Sequence, residues 1–118
     1  MSTEKKEFSP EVKEFEQKFP EMAAEFKKIM YEEYEMFCKK QLNYGKGNIM
    51  LGGDVNDPED RKLAMSGIVI RMNDKVNRLI TLMLKGNKDY VNESILDTFQ
   101  DLCNYSIIAQ MVSREKWK

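Results

Sequence analysis

The stretch DPEDRKLAMSGIVIRMNDKVNRLITLMLKG, residues 57–86, decides the fold. It opens as a helix does, with Asp57 at the cap, Pro58 at the first helical position and Glu59 and Asp60 in the first turn. Met65, Val69, Met72, Val76, Leu79, Ile80 and Met83 then recur at steps of three and four, the spacing of one helix face. Gly86 is placed to end the helix near Lys85. Nothing in this stretch alternates with period two, and no other segment does so convincingly.

Working outward, the same pattern recurs on both sides. Ser9-Pro10 marks an earlier helix start, followed by Val12, Phe15 and Phe19 and an interruption at Pro20. Residues 20–42 read as a second helix with the stripe Met22, Phe26, Ile29, Met30, Glu33 and Phe37. Glu33 is the odd member; a carboxylate on that line lies at the edge of the core or has a partner. A last helix is expected over about 93–112, capped by Asn92, with Ile95, Phe99, Leu102, Ser106 and Ala109 on its mostly apolar face. The expected fold is therefore all-α: three long helices and a short N-terminal one. Three stripes make a thin core, so a four-helix-bundle-like arrangement completed by oligomerisation, as a homodimer or homotetramer, is expected. The expected domain plan is a flexible, polar N-terminus (1–8), one helical domain (9–112) with a glycine-rich loop at 43–57, and a polar, solvated tail (113–118).

Composition limits the function. A chain of 118 residues with 42% hydrophobic and 33% charged residues is one helix-rich domain. Its net charge of −1 leaves no global footprint for nucleic acid or an anionic membrane. There is no apolar run of membrane-spanning length and no signal-peptide core, so a cytosolic location is expected. Cys38 and Cys103 sit in apolar helical patterns without CxxC spacing and read as buried reduced thiols. Histidine is absent, which removes His-based triads and His-ligated zinc.

Three groups of residues carry candidate chemistry. Glu93, Asp97 and Asp101 recur every four residues, on one face of a helix. Like charges at this spacing repel, so a cation is expected among them, either a divalent metal or the Lys and Arg residues of another helix. Mg²⁺ (or Mn²⁺) prefers carboxylate oxygens, and acids from a facing helix, Glu32, Glu33 or Glu35, would complete a set. Arg71, Lys75 and Arg78 form a second line, suited to a polyphosphate or to pairing with the acids. Asp74 lies at the seam of that helix and would be able to join a metal site. The third group is the glycine-rich connection at 43–57, where Tyr44 would stack on a base and Asn48 read its edge, or which is a plain flexible linker.

Taken in order, Gln41-Leu-Asn43-Tyr44-Gly45, Asp74-Lys75-x-x-Arg78-Leu79 and Glu93-Ser94-x-x-Asp97-x-x-x-Asp101-x-x-Asn104-Tyr105 resemble the nucleotide-modification-associated domain of phages and bacteria. Through it they resemble the all-α nucleoside triphosphate pyrophosphohydrolases, the MazG-like and dimeric dUTPase superfamily. The resemblance extends over about residues 25–112. It implies an oligomeric helical fold and a Mg²⁺-dependent site that grips a nucleotide's phosphates. Glu32 and Glu35 match the superfamily's first acidic motif, and with Asp97 and Asp101 are the implied metal ligands. Glu93 is the implied ligand or water-orienting base. Lys75, Arg78 and Arg71 would hold phosphates, with Asn104 and Tyr105 also at the nucleotide. The second acidic motif departs from the superfamily's spacing, and Asn43 stands where an Asp is usual. The implied activity is hydrolysis of a nucleoside triphosphate to monophosphate and pyrophosphate. The alternative is a non-catalytic phage protein that sequesters immune signalling nucleotides. A third reading has no ligand at all, its charged faces only pairing its helices.

Overall fold

The computed structural model describes residues 8–91 and 93–118. Every regular element among them is helical: α1 (Pro10–Lys18), α2 (Pro20–Tyr44), α3 (Gly47–Met50), α4 (Pro58–Leu79) and α5 (Ile95–Ser113). One π-helical turn, Ile80–Leu84, extends α4. The all-α expectation holds for the described residues, and no helix among them is long and apolar enough to cross a membrane. The chain divides into two compact units, Met1–Met36 and Phe37–Lys118.

In the first unit Ser9 and Pro10 start α1 as expected, Ser9 in extended backbone and Pro10 at the first helical position. Pro20 disfavours helical backbone at the residue before it. Phe19 accordingly leaves the helix at φ −132°, and α2 begins at once. Glu16 and Lys27 tie the two helices at 2.6 Å. Ala23 is buried, but Met22, Phe26, Ile29 and Met30 remain 48–66% exposed. The stripe expected to form core is therefore mostly at the surface of the single chain, with Glu33 buried among it.

The second unit holds the main core. Asp57 caps α4, its carboxylate accepting the Glu59 N–H, and Pro58 occupies the first turn. Gly86, at φ +69°, stops the helix where expected, with Asn87 N–H donating to the Thr81 carbonyl across the turn. The π-helical turn before it, marked by Lys85 N–H on the Ile80 carbonyl, was not visible in the periodicity. Ala64 and Ile68 of α4 pack with Ile108 and Val112 of α5, and α3 adds Ile49 and Met50. Ile68 and Val112 are almost wholly enclosed, each contributing about 1.5–3 kcal/mol by burial.

Several boundaries and faces differ from expectation. The last helix starts at Ile95, with the Ser94 hydroxyl accepting the Asp97 N–H, so Glu93 precedes the helix. The expected cap, Asn92, lies outside the described residues. The connection at 43–57 is not wholly irregular, since α2 runs to Tyr44 and α3 occupies Gly47–Met50. On α4 the inward line is Ala64, Ile68, Arg71, Lys75 and Arg78, one residue away from the expected apolar face. Met65 and Met72 flank the core, but Val69, Val76, Ile80 and Met83 are exposed. On α5 the inward line is Thr98, Asp101, Tyr105, Ile108 and Val112, and Phe99 is 48% exposed. Neither cysteine is buried as expected: Cys38 is half-buried and Cys103 is exposed. The tail is not fully solvated: Trp117 is buried.

Candidate functional site

The inward lines of α4 and α5 change from apolar to charged along their length. Both follow the three-four repeat of facing helices. At one end Ala64 and Ile68 meet Ile108 and Val112; at the other, Lys75 and Arg78 meet Thr98, Asp101 and Glu93. Lys75 Nζ lies 3.0 Å from Asp101 Oδ2 and 3.5 Å from Glu93 Oε1. The lysine is held above its ordinary value of 10.5, first by the hydrogen bond to Asp101, against the opposing effect of burial. Lys40, from the last turns of α2, approaches the other Asp101 oxygen at 3.4 Å.

Arg78 is the most heavily engaged side chain. Its Nε donates to Thr98 Oγ1 at 3.2 Å and lies 3.3 Å from Glu93 Oε2. Its Nη2 reaches Asp89 Oδ2 at 3.0 Å and the Glu93 carbonyl oxygen. A guanidinium satisfies so many acceptors because its donors form a rigid planar fork. Arg71 differs: it donates to the Asn48 carbonyl at 3.0 Å and has no carboxylate partner among the described residues. Its positive charge therefore remains uncompensated.

Arg71 lines a cleft of about 200 Å³, entirely within the second unit. Lys40, Gln41 and Tyr44 of α2, Asn48 and Ile49 of α3, and Asp101, Asn104, Tyr105 and Ile108 of α5 form its other walls, with Phe37 at one side. The volume lies below the roughly 300–1,000 Å³ of pockets that enclose a drug-sized ligand. It suits part of a ligand, with the rest outside. Asn48 Oδ1 is buried and makes no hydrogen bond, so it can accept a donor from a bound molecule. Gln41 is committed locally, its Nε2 donating to the Gly45 carbonyl where Gly45 ends α2 at φ +69°.

Six expected site residues, Tyr44, Asn48, Arg71, Asp101, Asn104 and Tyr105, thus meet in one cleft. Lys75, Arg78 and Glu93 form the adjoining ion-pair seam. Asp97 is exposed and has no ion pair among the described residues. Asp74 is exposed and faces a separate shallow depression beside Arg78, Asp89 and Tyr90. Glu32 and Glu35 are exposed residues of the first unit. Among the described residues no three acidic or thiol side chains are gathered closely enough to hold a metal ion. In the cleft the carboxylate chemistry does not suit a free Mg²⁺, because Asp101 is already flanked by Lys40 and Lys75. Gln41 opens the first sequence motif but has no expected site role, and Lys40 is not among the expected site residues. The signal was there, since Lys40 stands four residues before Tyr44 and shares its face once α2 continues that far.

The fold and cleft define an all-α domain with a cationic pocket flanked by tyrosines and amides. The chain belongs to the family described as Nucleotide modification associated domain 1, whose model matches residues 40–112. No curated protein and no solved structure matches it. Membership gives the chain a nucleotide-related role. Of the residues lining the cleft, Phe37 alone falls outside the match, whereas Glu32 and Glu35 both precede it.

Proposed function

We propose that this protein binds a nucleotide in the Lys40–Arg71–Tyr105 cleft, its phosphates toward the cations and its base toward Tyr44, Tyr105 and Asn48. The observation that carries this reading is Arg71, a half-buried guanidinium in the cleft wall with no carboxylate partner among the described residues. An anion placed there gains charge-assisted hydrogen bonds without breaking an existing ion pair. Lys40 is 43% exposed at its side chain and held to Asp101 at 3.4 Å, so it can turn to a phosphate at small cost. Tyrosine faces and an unsatisfied amide oxygen supply stacking and a hydrogen-bond acceptor for the base. A sequestering role toward signalling nucleotides is one form of this binding. Titration calorimetry with a panel of ribo- and deoxynucleotides is the test. Arg71→Met should weaken binding by roughly tenfold or more, the size of a charged hydrogen bond. Absence of binding by the wild type, or an unchanged Arg71→Met affinity, sinks the proposal.

A Mg²⁺-dependent nucleoside triphosphate pyrophosphohydrolase, as the resemblance to MazG-like enzymes implies, is the second reading. It is favoured by Glu32 and Glu35, which share one face of α2 at a spacing of three. Pyrophosphate release in the presence of Mg²⁺, lost in Glu32→Gln and Glu35→Gln, would establish it. If intact nucleotide is recovered after incubation, binding without cleavage stands.

A further inference from the structure

The family match ends at residue 112, but the chain after it is fastened to the core. Leaving α5, the backbone turns through Glu115 at φ +58°, with Glu115 N–H on the Val112 carbonyl and Lys116 N–H on the Met111 carbonyl. Such paired bonds across a left-handed residue reverse the chain at a helix end. The turn delivers Trp117 into the core, 5% exposed and edge-on to Phe37 at 5.9 Å and 69°. Arg61 secures the turn, donating to Glu115 at 3.1 Å and to the Val55 carbonyl at 2.9 Å.

The polar end of Trp117 is used as specifically as its ring. Indole Nε1 donates to the Lys46 carbonyl at 2.9 Å, the same oxygen that accepts the Ile49 N–H at 3.4 Å. Lys46 is the residue from which α3 starts. With four residues, α3 is too short to be stable alone, so its place depends on what holds it from outside. Two donors do so: Trp117 at its start and Arg71 on the Asn48 carbonyl. Asn48 and Ile49 of α3 form a wall of the cleft. The tail is therefore mechanically continuous with the binding site through the hydrogen bond to Lys46 and the ring contact with Phe37.

We infer that Trp117 is a positioning residue for the cleft, its indole N–H fixing the start of α3 so that Asn48 and Ile49 are preorganised for the ligand. This inference rests on the nucleotide-binding reading. The contact comes from residue 117, beyond the segment 40–112 that the family model matches. Preorganisation of this kind raises affinity by removing the cost of ordering the wall on binding.

Trp117→Phe in the full chain tests it, because phenylalanine keeps an aromatic ring against Phe37 while removing the N–H together with part of the indole's bulk, a packing loss that a second core variant must control for. Nucleotide affinity should fall roughly three- to tenfold, the value of one hydrogen bond. Amide exchange at residues 49–51 should quicken at the same time. Val112→Ala serves as the control, since it loosens the same core without touching Lys46. It should lower the melting temperature yet leave the affinity within about twofold. A wild-type affinity in Trp117→Phe, or equal weakening in Val112→Ala, overturns the inference. If the wild type binds no nucleotide, the binding proposal fails, and the exchange comparison alone decides whether Trp117 holds α3. Unchanged exchange in Trp117→Phe would overturn it there too.

Discussion

Lys75 and Asp101 face each other across the α4–α5 contact, Nζ to Oδ2 at 3.0 Å, on the lines that elsewhere bury Ile68 and Ile108. The pair occupies core-facing positions, and both side chains are only 20–24% exposed. Removing one partner leaves the other half-buried and short of a counter-charge. Lys75→Met should therefore lower stability by about 1–2 kcal/mol, a melting-temperature loss of roughly 5 °C or more. Asp101→Asn should cost less, because an amide oxygen still accepts from Lys75. Thermal unfolding of both variants against wild type checks the order, and a larger loss in Asp101→Asn would refute it.

The same pair sets an alkaline limit. The folded-state value of Lys75 is raised above 10.5, chiefly by its hydrogen bond to Asp101. A raised lysine contributes stability that is complete below its unfolded value and is lost as the pH climbs through the folded one. Wild-type protein should thus lose stability above about pH 10.5, and Lys75→Met should show a shallower slope in that range. Parallel denaturant titrations across this window decide it; identical slopes would assign the alkaline loss to other groups.

Arg78 should not tolerate lysine. Its guanidinium reaches Thr98 Oγ1, Asp89 Oδ2, the Glu93 carbonyl and the Glu93 carboxylate from one planar head. A lysine ammonium has three donors on a shorter head and no fork. Arg78→Lys keeps the charge but leaves acceptors unmet in a half-buried seam, with an expected cost of about 1–3 kcal/mol. Urea unfolding measures it, and a loss within about 0.5 kcal/mol, typical of a neutral surface change, would contradict the network's role.

The helices and their starts were legible in the sequence because Ser9-Pro10, Asp57-Pro58 and Gly86 act locally, through backbone dihedrals and missing donors. Which face turned inward was not. On α4 two lines of equal spacing run side by side, Met65–Val69–Met72–Val76 and Ala64–Ile68–Arg71–Lys75, and hydrophobicity alone favours the first. The structure adopts the second because the cations on it meet acids from α5 and the segment before it. Pairing between distant segments decided what periodicity left open. The acidic column is a similar case: Asp101 faces inward, Asp97 is exposed, and Glu93 lies before the helix. Tyr44, Asn104 and Tyr105 are legible from motif order and Asn48 from the glycine-rich connection; Lys40 becomes legible once α2 is carried on to Tyr44, whereas Trp117 needs the three-dimensional path of the chain.

Because Lys40 and Lys75 already flank Asp101, Mg²⁺ alone should find little purchase. At about 5 mM Mg²⁺ without nucleotide, the melting temperature should move by less than about 1 °C, since stabilisation follows the logarithm of site occupancy. Chelation of metal from purified protein should be equally silent. A Mg²⁺-dependent rise of several degrees that Asp101→Asn abolishes would instead establish the metal site that the acidic spacing first suggested.

Val69 and Val76 on α4 and Ile80 and Met83 on its π-helical extension stand 36–63% exposed, and Leu96, Phe99 and Ile107 are 45–71% exposed on α5. Scattered exposed apolar side chains are ordinary, but a line at helical spacing resembles an uncovered helix contact. A second copy is the simplest partner, because closed dimers are the commonest assemblies and the same face would serve both subunits. The protein should therefore run as a dimer or tetramer in light scattering coupled to size exclusion. Val69→Glu with Val76→Glu places charges on that line without touching the core of the single chain. The double variant should shift to monomer while keeping its helical circular dichroism. A monomeric wild type would end this reading, and an oligomer indifferent to the double substitution would move the interface elsewhere.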